Sequence, residues 1–283
     1  FVCSSWYYLR YIDSKNSQEI FSKKLLNWLP VDCYVGGAEH ATMHLLYARF
    51  ITKALRDLKV INFDEPFKKL YHQGTITKDG SKMSKSKGNT VAPDKFIEQY
   101  GSDTFRIYLM FMGPYDEGGD WNDKGIKGIY RFLNKIWRII HLTNNDNNDS
   151  KANQLMHQTI KIVTDNLNDM KFNTAISRIM EFVNYLTQAN YANLEIKNNL
   201  ALLIAPFAPH LAEEIWGILD HKKSIFNSKW PNYDSSKLES NEITIIIQVN
   251  GKLRGNLLTE KGLEEQDILQ QCKSMSNVKK YLE

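Results

Sequence analysis

One short stretch constrains the fold of this chain more than any other. Cys33-Tyr34-Val35 reads as a buried strand, Gly36-Gly37 ends it, and a helix-periodic segment follows from about Glu39 to Leu58. Tyr47, Ile51, Ala54 and Leu58 fall at i, i+4, i+7 and i+11, which predicts one face of that helix. Strand, glycine turn and helix form the unit of a parallel α/β sheet. Such sheets bind ligands beyond the carboxyl ends of their strands, where the Gly36-Gly37 turn would lie.

The flanking sequence extends this pattern. Tyr71 to Ile76 predicts a second strand, and Lys78 to Val91 predicts a polar loop containing Gly80 and Gly88. Pro93 suits the first position of a helix that stops at Gly101, and Ser102 is placed to cap the next, Asp103 to Met112. Helical periodicity then dominates: Gly125–Leu142, Gln154–Leu167, Asn173–Ala192, and Asn198–Leu219 broken by Pro206 and Pro209. These predict a bundle of four or five helices, with Asn144–Asp149 as a surface loop. Ile243 to Val249 reads as a strand, Asn250-Gly251 as a two-residue hairpin turn, Lys252 to Leu258 as the returning strand, and Glu264 to Lys273 as a helix.

Composition excludes several classes. Apolar residues make up 42% and charged residues 24%, so the chain can build a packed core. No apolar run approaches the ~20 residues that a membrane-spanning helix needs. Cys3, Cys33 and Cys272 are far apart and include no Cys-x-x-Cys pair, which argues against a zinc knuckle and fits a reducing cytoplasm. A net charge of +4 permits a nucleic-acid partner without requiring one.

The chemistry is concentrated in Lys82-Met83-Ser84-Lys85-Ser86, followed by Lys87-Gly88-Asn89. Within eight residues this segment offers ammonium groups, hydroxyls and amide N–H donors. A triphosphate needs that inventory, because lysines can neutralise the charge growing on departing pyrophosphate. A Lys/Ser-rich run can equally be a solvated loop. His40 and His44, four apart, can reach one ligand together, serve as hydrogen-bonded core residues, or hold a metal; no third ligand is evident nearby. Trp121, Arg131, Lys135, Trp137 and Arg138 mix aromatics with cations, which suits either RNA contact or an ordinary core beneath a solvated face.

Lys82–Ser86 has the letters of the signature loop of class I aminoacyl-tRNA synthetases, and six blocks resemble leucyl-tRNA synthetase. They are Phe1–Tyr11, Pro30–Phe50, Tyr71–Asn89 (which holds that loop), Tyr100–Pro114, Ala205–Trp216 and Val249–Gly255. The Gly36-Gly37-Ala38-Glu39-His40 turn with His44, and the Ser4–Tyr8 stretch, resemble the leucine enzyme specifically. The resemblance implies an α/β segment forming the second half of a class I synthetase nucleotide-binding fold, then an all-α helical bundle, then the start of a small α+β domain. The expected boundaries are 1–115, 116–238 and 239–283.

It also implies roles. Lys82 and Lys85 would act on the phosphates, with Met83 and Ser84 shaping the loop, and Met83, Ser84, Lys85 and Ser86 would bind the ATP together with Gly36, Gly37, Glu39 and His40. Gly36 and Gly37 would admit the adenosine, Glu39 would accept from the ribose hydroxyls, and Phe1, Ser4, Tyr7, His40 and His44 would wall the leucine pocket. ATP with magnesium (Mg2+) is the expected cofactor set; tRNA(Leu) and leucine are the expected partners, with no membrane and no protein-bound metal. The expected reaction activates leucine to leucyl-adenylate and transfers it to tRNA. The alternatives are a synthetase for Ile, Val or Met, and a non-catalytic tRNA-binding module. No His-x-Gly-His occurs, nor does the inserted editing domain of the family. The expectation is therefore a piece that works with an N-terminal half, in one chain or as a separate subunit, and is inactive alone.

Overall fold

A computed structural model describes residues 2–143, 149–238, 242–260 and 262–281. Phe1 and the Asn144–Asn148 part of the expected surface loop lie outside the described residues. The chain divides into two compact units: Phe1–Arg131 with Asn166–Ile176, and Phe132–Asp165 with Ser177–Glu283.

In the first unit a 3-10 turn, Cys3–Ser5, leads into helix α1 (Tyr7–Tyr11). Arg10 then ties down the segment that follows, because its guanidinium donates to the carbonyls of Ser14, Asn16, Glu19 and Ile20 at 2.6–3.0 Å. Strand β1 (Tyr34–Gly36) forms one residue later than expected and is not buried: Tyr34 and Gly36 are half-buried and Val35 is exposed, because among the described residues the only strand paired with it is the short Leu70–His72. The predicted long helix does not run unbroken: Ala38–Thr42 is a 3-10 turn, Met43 leaves the helical region (φ −121°, ψ −102°), and α2 covers His44–Asp57.

The buried face of α2 is also not the predicted one. Leu45, Ala48 and Thr52 are buried, whereas Tyr47 and Leu58 are exposed. Apolar residues surround much of this helix, so periodicity alone leaves its phase open. Contact with α1 decides it, because the Tyr8 hydroxyl pairs with Thr52 Oγ1 at 2.5 Å. Tyr8, Leu9, Phe21, Leu29, Ala48 and Ile61 form the buried cluster beneath.

Strand β2 (Leu70–His72) lies parallel to β1, pairing Tyr34 with Leu70 and Gly36 with His72. The expected strand from Tyr71 to Ile76 is in fact two strands. The chain turns at Gln73-Gly74, and β3 (Thr75–Lys78) joins a different sheet. Gly74 makes the switch possible: its amide donates to the Tyr115 carbonyl at 2.8 Å, and a Cβ here would overlap the Glu117–Gly118 peptide.

The expected polar loop holds β4 (Ser81–Lys82), joined to β3 by a tight turn with Asp79 and Gly80 at φ 53° and 69°. Helix α3 (Pro93–Tyr100) stops at Gly101, as its sequence predicts. Gly101, not Ser102, is the N-cap of the next helix, α4 (Ser102–Phe111), so no capping side chain is used there. Strand β5 (Gly118–Trp121) then adds parallel to β3, giving the sheet order β4-β3-β5. Trp121 is buried among Phe96, Phe105 and Tyr108, with ring centroids 4.9–5.7 Å away, so it is core and not an exposed stacking platform.

Five further helices follow: α5 (Ile126–Ile140), α6 (Ser150–Asn168), α7 (Phe172–Ala189), α8 (Leu194–Ile204) and α9 (Pro209–Ile218). The proline pair separates α8 from α9. In the second unit, Met156, Ile160, Ile179, Phe182, Leu200 and Ile204 are all fully buried or nearly so. This unit ends in the hairpin of β6 (Glu242–Val249) and β7 (Lys252–Glu260), with Asn250 and Gly251 at φ 54° and 73° in the turn. Helices α10 (Glu265–Ser274) and α11 (Ser276–Lys279) pack on it through Cys272 and Val278, around Ile247. Among the described residues no helix is long and apolar enough to cross a membrane.

Candidate active site

The carboxyl ends of β1 and β2 lie side by side, and Gly36 pairs with His72 there. A cavity of about 250 Å³ opens at this point, lined by Gly36, Gly37, His40, His44, His72 and Gln73 among others. This is where a parallel sheet offers its ligand site. A Cβ on Gly36 would meet nothing within 4 Å, so the missing side chain is open space at the cavity. The Glu39 carboxylate folds over Gly37 and occupies the place where a Cβ would stand.

A hydrogen-bonded chain crosses the wall of this cavity. The Tyr7 and Tyr34 hydroxyls pair, and Tyr34 Oη lies 2.7 Å from His44 Nε2. Phe67 stacks flat against Tyr34, with centroids 3.8 Å apart and planes at 9°, which fixes the ring. Burial pushes the Tyr34 phenol well above its usual range, and the bond to Tyr7 adds to that. Burial also lowers the His44 pKa, with His40 contributing. Both shifts favour neutral groups, so a neutral phenol and a neutral imidazole share the hydrogen bond between Tyr34 Oη and His44 Nε2. A second, larger cavity of about 640 Å³ lies on the other side of Tyr34, between Tyr7, Tyr11, Trp28 and Leu29. Its lining is mostly apolar, which suits an apolar ligand group.

The structure thus brings together Tyr7, Gly36, Gly37, Glu39, His40 and His44 of the residues singled out in the sequence. The two histidines do not share one helix, yet their rings meet edge to face at 6.1 Å. Ser4 is exposed in the first 3-10 turn and lines neither cavity. Phe1 lies outside the described residues. Three lining residues were not legible as functional: Tyr34 read as a buried strand residue, and His72 and Gln73 as the middle of a strand. His72 and Gln73 carry a positional signal, at and just beyond the carboxyl end of β2; Tyr34 opens β1 and carries none. Among the described residues no group of three or more His, Cys, Asp or Glu is placed to hold a metal ion.

Lys82 ends the β3–β4 hairpin, which belongs to a separate sheet, and Met83, Ser84, Lys85 and Ser86 follow it. Lys82, Lys85 and Ser86 are exposed, and Met83 and Ser84 half-buried. The loop has an internal skeleton. The Ser84 amide donates to Asn89 Oδ1 at 2.8 Å, Asn89 Nδ2 donates to the Lys82 carbonyl at 3.3 Å, and Gly88 closes a 3-10 turn over Lys85–Lys87 at φ 64°. Ser84 and Ser86 hydroxyls lie 2.7 Å apart. Below the loop, the Asp120 carboxylate accepts from Thr77 Oγ1 at 2.6 Å and from the Gly80 amide at 3.0 Å. The Thr77 hydroxyl, with the Gly80 amide, holds the Asp120 carboxyl below the usual carboxylate range. The result is a folded platform presenting ammonium groups to solvent, which suits a polyphosphate.

Two family models match. Residues 13–122 match the tRNA synthetases class I (I, L, M and V), and residues 149–269 match the anticodon-binding domain of tRNA ligase. A leucine–tRNA ligase of Clostridium tetani is 49% identical over 99% of this chain and 37% of its own length. One from Caldanaerobacter subterraneus is 50% identical over 100% of this chain and 37% of its own length. The chain therefore spans a little over a third of the curated relatives it matches. Among solved structures, a ternary complex of an Agrobacterium radiobacter LeuRS with tRNA and LeuAMS aligns over 99% of this chain and 39% of the other, with a TM-score of 0.76 and 33% identity.

Proposed function

This chain belongs to the class I tRNA synthetases, matched along nearly its whole length by leucine–tRNA ligases, and from that premise we propose that it carries part of the site that activates leucine with ATP and charges tRNA(Leu). The observation that carries the reading is the open backbone at Gly36, at the carboxyl ends of β1 and β2, in a cavity walled by Tyr34 and His44. Backbone without side chains lets a flat ribonucleoside approach closely, and Glu39 beside it is an acceptor for ribose hydroxyls. The apolar surface near Tyr7 and Tyr34 takes the leucine side chain, while His40 and His44 line the neighbouring cavity, which shares Tyr34 with it.

In the first step the leucine carboxylate attacks the α-phosphorus of ATP and pyrophosphate leaves. In the second, a terminal ribose hydroxyl of tRNA attacks the adenylate carbonyl and AMP leaves. Neither step needs a covalent enzyme intermediate, so positioning and charge stabilisation carry the rate. Lys82 and Lys85 would offset the charge growing on pyrophosphate, and magnesium bound with ATP would supply further positive charge there.

Residues 1–115 would belong to the catalytic part, 116–238 to the tRNA-binding helical part and 239–283 to a small α+β part. An N-terminal half completes the nucleotide fold, and the enzyme works in the cytoplasm. Leucine-dependent ATP–pyrophosphate exchange in the full-length enzyme, with isoleucine, valine and methionine as competitors, tests the reading. Exchange driven better by one of those three would overturn the leucine assignment.

A further inference from the structure

The lysine loop rests on very little sheet. Strands β3 and β4 share only two residue pairs, Thr77 with Lys82 and Lys78 with Ser81. A two-stranded ribbon of that length is not stable by itself in water. Its other support comes from β5, where Thr77 pairs with Asp120, so that Lys82, Thr77 and Asp120 form one row across the three strands. The Asp120 side chain extends this row. Its carboxylate accepts the Thr77 hydroxyl at 2.6 Å and reaches past β3 to the Gly80 amide in the turn at 3.0 Å. One oxygen, Oδ1, thereby pins the central strand and the turn that launches β4 to the same point on β5.

We propose that Asp120 is a positioning residue for the activation step: its carboxylate straps the β3–β4 hairpin to β5 and so sets where Lys82 and Lys85 present their charges. This rests on the reading of the Lys82–Ser86 loop as the pyrophosphate-stabilising element. Asp120 does not touch substrate in this account. Its effect passes through Thr77 and Gly80, and it should therefore appear in turnover and not in leucine binding. What the strap requires is an acceptor oxygen, so an amide at position 120 retains it and a methyl does not.

The test uses the full-length enzyme carrying Asp120→Ala, Asp120→Asn or Thr77→Val. Leucine-dependent ATP–pyrophosphate exchange and the rate of tryptic cleavage after Lys82, Lys85 and Lys87 are read together. Misplacing catalytic groups by about 1 Å costs on the order of 100-fold. Asp120→Ala is expected to lower kcat at least about tenfold by that reasoning, with KM for leucine within about twofold and loop cleavage accelerated. Thr77→Val should move both readouts in the same direction, and Asp120→Asn should recover most of the lost rate. The inference is overturned if Asp120→Ala leaves kcat within about twofold while Lys85→Ala abolishes exchange, or if Asp120→Asn is as impaired as Asp120→Ala. Should Asp120→Ala fail to fold, the Asn and Val variants decide the matter. An enzyme with no leucine-dependent exchange sinks the functional reading instead, and tryptic cleavage still reports on the strap.

Discussion

Tyr34→Phe in the full-length enzyme probes the hydrogen-bonded wall of the site with little other disturbance. The ring stays, because its stacking on Phe67 at 3.8 Å does not involve the hydroxyl. What goes is the hydroxyl that is hydrogen-bonded to His44 Nε2 at 2.7 Å and pairs with Tyr7. A buried polar atom left without its partner costs about 1–3 kcal/mol. Tyr7, Tyr34 and His44 are only half-buried, so water partly replaces the lost hydroxyl and the lower part of that range applies, about 1–2 kcal/mol. At about 1.4 kcal/mol per tenfold, kcat/KM for leucine should fall roughly 5- to 30-fold. Steady-state pyrophosphate exchange at varied leucine measures it. In a double-mutant cycle with His44→Ala, the second change should cost less than the first, because the pair is already broken. A Tyr34→Phe enzyme within about twofold of wild type, or fully additive with His44→Ala, would refute the idea that this hydroxyl organises the pocket.

Two further predictions concern the second unit. Ile179 on α7 is fully buried, so Ile179→Ala should lower unfolding free energy by about 2–5 kcal/mol in urea titration. His157 is buried on α6; its Nδ1 accepts from the Asp234 amide at 3.2 Å, and burial, helped by Lys237, lowers its pKa. A folded-state pKa below the unfolded value of 6.5 means that the unfolded chain binds the proton more readily, so stability is complete above pH 6.5 and declines as pH falls below it. Denaturation of wild type and His157→Gln across pH 5–8 should show a shallower decline below pH 6.5 in the variant.

What the sequence revealed and what it hid follow from physics. The proline pair at 206 and 209, Gly101 after α3 and Asn250-Gly251 all restrict the backbone locally, and their elements stand where expected. Tertiary contact decided the rest. The face of α2 turned on a hydroxyl pair, Tyr8 with Thr52, that links residues 44 apart in sequence. The division of residues 71–76 between two sheets turned on Gly74 meeting the backbone at Gly118. The site was legible in parts: the glycine turn and the lysine loop stand out by residue type alone. Tyr34 and Asp120 do not, because a tyrosine in a strand and an aspartate beside a tryptophan carry no signal until their partners are in place.

The most direct test of the central claim is leucine-dependent ATP–pyrophosphate exchange by the full-length enzyme with Lys85 intact or changed to alanine. The account predicts robust exchange in the first and at least about a tenfold fall in kcat in the second, equivalent to about 1.4 kcal/mol of barrier. Exchange that survives Lys85→Ala within that factor would contradict the role given to the loop on which the reading rests.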